Sequence, residues 1–197
     1  MQKSLFKISL FLLCLLPAAY LLYGALNNQL GANPIEVLTR DTGEWTLRFL
    51  LITLAVSPLR LLFKWHFLAD VRRLLGLYSF FYATLHMLLY VWLDQFFDLS
   101  AIIKDIIERP FITVGFFSFL ALIPLAVTSN KAMIKRLGTE RWQQLHKLVY
   151  AIGIGGAVHF YMLVKKDITE PLIYISILAF LLAIRLYRRS LSQSISV

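Results

Sequence analysis

Charged residues and cysteine are both scarce in this sequence. Asp, Glu, Lys and Arg make up 16% of its 197 residues, whereas about a quarter is usual for a soluble domain. Cys14 is the only cysteine, so an internal disulfide, an iron–sulfur cluster and a thiolate zinc site are excluded. Leu13 is larger than the small residue expected before a lipidated cysteine, so we do not expect Cys14 to carry a lipid anchor.

Acidic residues are the scarcer charge type, with 11 Asp and Glu against 20 Lys and Arg and a formal net charge of +9. In a soluble protein such an excess would suggest binding to nucleic acid. In an apolar chain, Lys and Arg belong instead in cytoplasmic loops that face anionic lipid. We therefore expect membrane lipid, and no nucleic acid, as a partner.

Apolar residues dominate the rest of the sequence. Hydrophobic residues make up 59% of it and the mean hydropathy is +0.70, which indicates an integral membrane protein. We find no internal repeat, linker or separate soluble region. The sequence predicts an all-α fold, a six-helix membrane bundle formed as one domain by residues 1–197, with spans at about 5–26, 46–63, 74–93, 111–127, 142–164 and 172–186.

Three segments need separate interpretation. The apolar run 5–26 resembles a signal peptide but exceeds the usual core of about 7–15 residues, so we predict a retained first span in which Pro17 can introduce a kink. Between the third and fourth spans, Ser100 can cap a short helix whose isoleucines share one face. Such a helix either lies flat on a membrane or simply covers the bundle.

His66 is interpreted as a solvated loop residue.

The distribution of Lys and Arg predicts the orientation. The N-terminus, the second and fourth loops and the C-terminal end together carry 13 of these residues, whereas the first, third and fifth loops carry 6. By the positive-inside rule, the first group is cytoplasmic. Both termini are then cytoplasmic, and the third and fifth spans both run outward.

Three histidines, His86, His146 and His159, lie within predicted spans. An ionisable residue at membrane depth is a functional hypothesis, although a hydrogen-bonded packing role is as good an interpretation for any one of them. Counted from the basic ends, His86 and His159 should lie at similar depth in the outer half, and His146 in the inner half. Neutral imidazoles facing each other from two helices are suited to axial ligation of haem iron.

The fifth span carries both His146 and His159, with three glycines, Gly153, Gly155 and Gly156, between them. These glycines would allow a flat macrocycle to approach the backbone, but close helix packing explains them equally well. Thirteen helical steps rotate by about 220°, so the two histidines do not share a face of an ideal helix. A loosened helix, or cofactors approached from different sides, is needed.

Four segments resemble a known family: RRLLGLYSFFYATLHMLLY at 72–90, ERPFITVGFFSF at 108–119, LGTERWQQLHKLVY at 137–150, and HFYMLVK from His159. They are similar to the haem-binding membrane subunits of bacterial periplasmic methionine sulfoxide reductase systems, within the superfamily of ferric-reductase-like transmembrane domains. The likeness covers nearly the whole chain, and its most specific part is WQQLHKLVY with the histidine that follows.

The resemblance implies an inner-membrane protein that binds heme b and FMN. It would pass electrons from the quinone pool, or from a cytosolic flavin reductase, to a periplasmic molybdopterin-containing subunit that reduces methionine sulfoxide in proteins. The family's three histidines map onto His86, His146 and His159. The chain would then be a redox subunit, and the substrate-reducing site would lie on its partner.

One position departs from the pattern of the superfamily, which commonly has two histidines on each of the third and fifth helices. The position thirteen residues before His86 is Arg73, so the inner partner of His146 is absent. This leaves room for a flavin near the cytosolic face, where Arg72, Arg73 and Arg141 could hold its phosphate or haem propionates. The positive-inside distribution explains the three arginines equally well.

Two other classes of function remain. A proton relay or transporter would use the buried histidines to move protons, but no Asp or Glu lies in the middle of a predicted span and there are no paired broken helices. A non-redox membrane anchor would only dock a soluble partner. Only the electron carrier would be coloured.

Overall fold

The computed structural model describes residues 2–65 and 67–194, and these residues are helical throughout, with turns and no strands. This confirms the predicted all-α class. His66 lies outside the described residues. In chain order the helices are α1 Gln2–Leu26, α2 Pro34–Phe63, α3 Leu68–Leu89, α4 Leu99–Glu108, α5 Pro110–Val127, α6 Lys131–Leu137, α7 Thr139–His146, α8 Leu148–Leu163 and α9 Thr169–Ser194, with a π-helical turn at Tyr90–Asp94 that continues α3.

Several helices have the length and composition of membrane spans. Within the described residues, four helices are long and apolar enough to cross a membrane, at 5–26, 71–94, 110–127 and 169–187. The protein is therefore a membrane protein with several apolar helices. The predicted count of six spans is not confirmed, because the regions predicted as the second and fifth spans are built differently.

The predicted fifth span, 142–164, is divided at Lys147 into α7 and α8. At this break the backbone hydrogen bonds join residues three apart in place of the usual four. Lys147 N donates to Gln144 O, and Tyr150 N donates to Lys147 O. Sixteen residues remain in α8, which at about 1.5 Å each is shorter than a hydrocarbon core of about 30 Å. His146 and His159 consequently lie on different helices.

The predicted second span, 46–63, is the second half of α2, which already begins at Pro34. The Asn33 side chain accepts a hydrogen bond from Glu36 N, and proline occupies the first helical turn, where it has no amide hydrogen to lose. These start signals lie well before the apolar stretch. The longer helix places Thr39, Gly43 and Glu44 alongside the bundle.

The short helix predicted between the third and fourth spans is present as α4, but Ser100 does not cap it. Asp98 is the N-cap, and its carboxylate accepts hydrogen bonds from Ser100 N at 2.9 Å and Ala101 N at 3.1 Å. Aspartate is favoured here because it also carries negative charge at the positive end of the helix. Ile103 and Ile107 are exposed, whereas Ile102 and Ile106 are partly buried.

A tyrosine on α3 joins α1 to the bundle. The buried Tyr82 hydroxyl donates to Cys14 O at 2.8 Å and accepts from Ala18 N at 3.1 Å. These two groups would bond to each other in an uninterrupted helix, and Pro17 lies beside them. A side chain inserted into the backbone ladder next to a proline satisfies the groups that a kink would leave unpaired.

The apolar core is formed mainly by α2, α3, α5, α8 and α9, where Leu54, Ile152 and Leu178 are among the buried residues. Contacts along the helices show that α2 runs antiparallel to α3, and α5 antiparallel to α8. His86 meets Thr39 at one end of the bundle, and Thr128 meets His146 at the other. The fold therefore presents two candidate sites, one towards each end.

Candidate functional site

His86 of α3 and His159 of α8 come together between the helices. Their ring centroids are 6.2 Å apart, and the ring planes are nearly perpendicular, at 78°. Both rings are largely enclosed by neighbouring helices. Of the three histidines selected from the sequence, these are the two that the structure brings together.

The His86 ring lies against α2. Its Nδ1 is 2.8 Å from the carbonyl oxygen of Thr39, and because a carbonyl can only accept, Nδ1 carries the hydrogen. The ring also lies against Gly43, where an added Cβ would be 3.1 Å from both Cε1 and Nδ1 of His86. The lone pair on Nε2 is therefore available to bind a metal.

The His159 ring lies against α5 in the same manner. Its Nδ1 donates to the carbonyl oxygen of Phe111 at 2.6 Å. At Gly115, an added Cβ would be 2.8 Å from Nδ1 and 2.9 Å from Cε1 of His159. Here too Nε2 keeps its lone pair. Hydrogen bonds of this kind fix the tautomer and orientation of histidines that bind metals.

The separation of the two rings fits one metal ion held between them. A histidine nitrogen lies about 2.0 Å from a metal that it binds and about 1.1 Å from the centre of its own ring, given ring bonds of about 1.33 Å. Two imidazoles on opposite sides of one metal would then have centroids about 6.2 Å apart. The observed 6.2 Å matches this value.

A cofactor such as a porphyrin could supply the remaining ligands of such a metal. The described residues contain no group of three or more His, Cys, Asp or Glu side chains that could hold a metal ion. Two imidazoles with no further protein ligand are one of the donor sets that hold a haem iron. A buried hydroxyl, Thr39 Oγ1, also lies beside this site without a hydrogen-bond partner.

His146 does not join the pair. Its Nε2 is 3.0 Å from the Thr128 hydroxyl, which itself donates to Pro124 O, so Nε2 of His146 carries the hydrogen. The ring is stacked on Trp142 with centroids 4.0 Å apart. His146 and His159 lie on either side of the helix break at Lys147 and contact different neighbours, so they do not need to share one helix face.

His146 lines a cavity of about 450 Å³ at the other end of the bundle. Four cationic side chains, Arg72, Arg73, Lys147 and Arg185, line it together with polar and aromatic groups, and no Asp or Glu of the described residues does. Uncompensated positive charge in a concave site favours an anionic ligand. Of the three predicted arginines, Arg72 and Arg73 are at this cavity, whereas Arg141 is exposed and outside it.

Arg185 is a site residue that the sequence analysis missed. Its guanidinium donates to Tyr150 Oη at 2.5 Å and Leu54 O at 2.6 Å and lies over the Tyr150 ring. Its Nε is buried without a partner, and none of the ion pairs in the described part of the chain includes it. Arg185 lies inside the sixth predicted span, where a charged side chain suggests a functional role. From the sequence it was used only as one of the positive charges that predict the orientation.

The glycines singled out in the fifth span serve packing. A Cβ on Gly155 would meet Ser118, one on Gly153 would meet Leu178, and one on Gly156 would meet Leu47. None of the neighbours found for them is a histidine. The glycines that face the histidines are Gly43 and Gly115 on other helices.

A buried acid was also missed. Glu44 on α2 is 8% exposed and bonds to Arg48 at 2.6 Å and Arg40 at 2.9 Å. Arg40 continues to Glu170 on α9 at 3.2 Å. The hydrogen bond with Glu44 raises the pKa of Arg40 above its ordinary value, so this guanidinium stays charged. Because Glu44 is paired with two cations, the cluster links α2 to α9 and does not resemble a proton carrier.

Comparison with known proteins identifies the family. A family model described as ferric reductase like transmembrane component matches residues 42–157. The chain is 54% identical to a protein-methionine-sulfoxide reductase heme-binding subunit MsrQ of Azospira oryzae, with 95% of this chain and 81% of the relative covered. It is 50% identical to the protein of that name from Herminiimonas arsenicoxydans (94% and 86% covered) and 52% identical to that of Rhodospirillum rubrum (94% and 89%). No solved structure gives a significant match. Because the family model matches over half of the chain and these relatives match nearly all of it, the chain belongs to the MsrQ family and carries a ferric-reductase-like transmembrane domain.

Proposed function

We propose that this protein is the haem-binding electron-transfer subunit of a protein-methionine-sulfoxide reductase system, with heme b bound between His86 and His159. The observation that carries the proposal is the separation of 6.2 Å between the two ring centroids. The names of the relatives, which are heme-binding subunits, support the same cofactor.

The haem supplies a one-electron redox couple, and the protein has to hold and tune it. His86 and His159 would hold the haem iron through Nε2, and their Nδ1–H bonds to backbone carbonyls would make each imidazole a stronger donor. The apolar core around them would exclude water, which is a further influence on the reduction potential. No bond of a substrate needs to be broken on this chain, so the substrate-reducing site would lie on the partner subunit.

We place FMN in the cavity at the other end of the bundle. Arg72, Arg73 and Arg185 would bind its phosphate, because guanidinium groups form strong charge-assisted hydrogen bonds with phosphate oxygens. Arg185 lines the cavity and belongs to none of the ion pairs of the described residues, which supports an anionic occupant. Haem propionates would suit the same charges, so the flavin content of the purified protein decides between them.

His146 would act at this inner cavity. Because its Nε2 is occupied by Thr128, it is better suited to contact the cofactor through Nδ1 than to pair with His86 or His159. Between the two sites, Phe80 and Phe119 are stacked with centroids 6.1 Å apart and planes at 6°. Phe80 also lines the inner cavity, so this pair lies on the route that an electron would take.

The charges orient the proposed electron path in the membrane, and the resemblance to the family supplies its donor and acceptor. The inner cavity lies at the end of the bundle that carries the excess of Lys and Arg, which by the positive-inside rule faces the cytoplasm. The chain would then be a single domain in the bacterial inner membrane with both termini cytoplasmic. Electrons would enter from the quinone pool or a cytosolic flavin reductase, and would leave to a periplasmic molybdopterin-containing methionine sulfoxide reductase subunit.

Absorbance of the purified full chain tests the proposal. We expect a Soret band that shifts on reduction, at least one haem per chain by the pyridine assay, and FMN among the extracted cofactors. Reoxidation of the reduced haem on addition of the partner subunit with methionine sulfoxide would establish the role in electron transfer. A colourless protein that does not respond to reductant would favour the proton relay or the non-redox anchor, and would overturn the proposal.

A further inference from the structure

The slots that hold His86 and His159 are built alike, although they lie on different helices. In each, the imidazole fills the space left by a helical glycine and donates Nδ1–H to the carbonyl four residues before that glycine. The first slot consists of Gly43 and Thr39 O on α2, and the second of Gly115 and Phe111 O on α5. A spacing of four residues places the carbonyl and the glycine on the same helix face, one turn apart.

We propose that Gly43 and Gly115 are positioning residues for the two axial ligands. The carbonyl fixes the rotation of each ring, and the glycine fixes how closely the ring approaches the helix. Together the slots would hold the ring planes nearly perpendicular and direct both Nε2 atoms to one metal. The inference rests on the proposed haem site between His86 and His159.

Space, and not backbone conformation, explains why glycine occupies these positions. Both glycines are in helix interiors and have ordinary helical backbone angles, where glycine is less favourable than alanine by about 1 kcal/mol. At each position, the three atoms nearest to an added Cβ all belong to the histidine ring. At Gly115 its closest approach to the ring would be 2.8 Å, which requires the ring to move, and at Gly43 it would be 3.1 Å, which requires a smaller shift.

The chain offers a matched control on α8. Gly156 is also in a helix interior, three residues before His159, but a Cβ there would meet only Leu47 Cδ1, at an ordinary contact distance of 3.6 Å. Gly156→Ala therefore changes a glycine near the same histidine without touching its ring. A change in haem binding that all three variants share would come from replacing a helical glycine by alanine. A change seen only in Gly43→Ala and Gly115→Ala would come from the slots.

The experiment compares Gly43→Ala, Gly115→Ala and Gly156→Ala in the purified full-length protein. Three properties are measured: haem per chain, the electron paramagnetic resonance spectrum of the ferric haem, which depends on the angle between the two imidazole planes, and the midpoint potential by redox titration. We expect Gly115→Ala to bind haem about tenfold more weakly, as is usual when a group supporting a metal ligand is disturbed. Gly43→Ala should keep haem but show an altered spectrum and a shifted potential, and Gly156→Ala should match the wild type.

Each outcome decides the proposal. If Gly43→Ala and Gly115→Ala both match Gly156→Ala in all three properties, the glycines do not position the ligands. If Gly115→Ala does not accumulate in the membrane, Gly43→Ala decides alone, because its predicted shift is small enough for the protein to fold. A wild-type protein without haem would overturn the proposed function together with this inference, whereas a haem-loaded wild type with unaffected slot variants overturns this inference alone.

Discussion

His146 of α7 and Thr128, the C-cap of α5, share a hydrogen bond of 3.0 Å. This contact holds the imidazole against Trp142 at the inner cavity, away from the pair formed by His86 and His159. The three membrane histidines therefore divide into a pair and a single residue, and the two groups should respond differently to mutation.

We expect His86→Ala and His159→Ala each to lower haem per chain by about tenfold or more, because either change leaves the iron with one protein ligand. His146→Ala should keep the Soret band of the paired site and change only the cofactor of the inner cavity. Haem per chain and the reduced-minus-oxidised spectrum measure this. A full wild-type Soret band in His86→Ala would show that the assignment of the axial ligands is wrong.

Arg185→Met should weaken FMN binding by about tenfold, the effect of losing one charge-assisted contact worth about 1.4 kcal/mol. Arg141→Met is the control, since Arg141 is exposed and outside the cavity. Flavin per chain is measured by fluorescence after extraction, with haem per chain as a reference. Equal flavin in the two variants would mean that Arg185 does not bind the phosphate.

Glu44→Gln should lower the stability of the protein, because it keeps the shape of the side chain but leaves Arg48 without its carboxylate. Breaking a buried ion pair by changing one partner commonly costs about 3–5 kcal/mol. Because Arg48 is 35% exposed, we expect about 2 kcal/mol here.

Thermal unfolding in detergent measures this loss. Glu170→Gln is the control, since Glu170 is 51% exposed and bonds to the 56% exposed Arg40, and an exposed pair contributes about 0–1 kcal/mol. If both variants melt at the wild-type temperature, the cluster around Glu44 does not stabilise the contact between α2 and α9.

Asp98→Ala should loosen α4, because Ser100 N and Ala101 N lose their acceptor. Loss of an N-cap costs about 1 kcal/mol, which corresponds to about fivefold faster amide exchange by local opening. Hydrogen exchange followed by mass spectrometry of peptides covering 99–108 measures the change. Peptides of Ser100→Ala should exchange at the wild-type rate. Faster exchange in Ser100→Ala than in Asp98→Ala would show that Ser100 is the N-cap, as the sequence suggested.

Much of the fold could be predicted from hydropathy and helix signals. The all-α class, the apolar helices at 5–26 and 110–127 and the short helix before Pro110 all follow from local composition, and the structure contains them. Hydropathy gave the wrong helix boundaries at two places, where another local feature ends or starts a helix. Lys147 interrupts a run that reads as one span, and Asn33 with Pro34 starts α2 well before its apolar stretch.

The candidate site could be predicted in part. Counting from the basic ends of two spans placed His86 and His159 at similar depth, since a helix rises by a constant distance per residue. The same count placed Arg72 and Arg73 near the inner end. It could not distinguish Arg141 from Arg185, because depth is set by position along the chain whereas access to a cavity depends on the rotation of each helix.

The sequence by itself determined that this protein enters a membrane and that it is all-helical, and it selected His86, His146 and His159 as candidates for binding a cofactor. Only the tertiary structure decided that His86 and His159 share one space, that Gly43 and Gly115 provide room for them, and that His146 and Arg185 belong to a second cavity. The physical reason is that hydropathy and helical rise act within a single helix. The partner of a side chain is decided by packing between helices, whose contacting residues lie far apart in the chain.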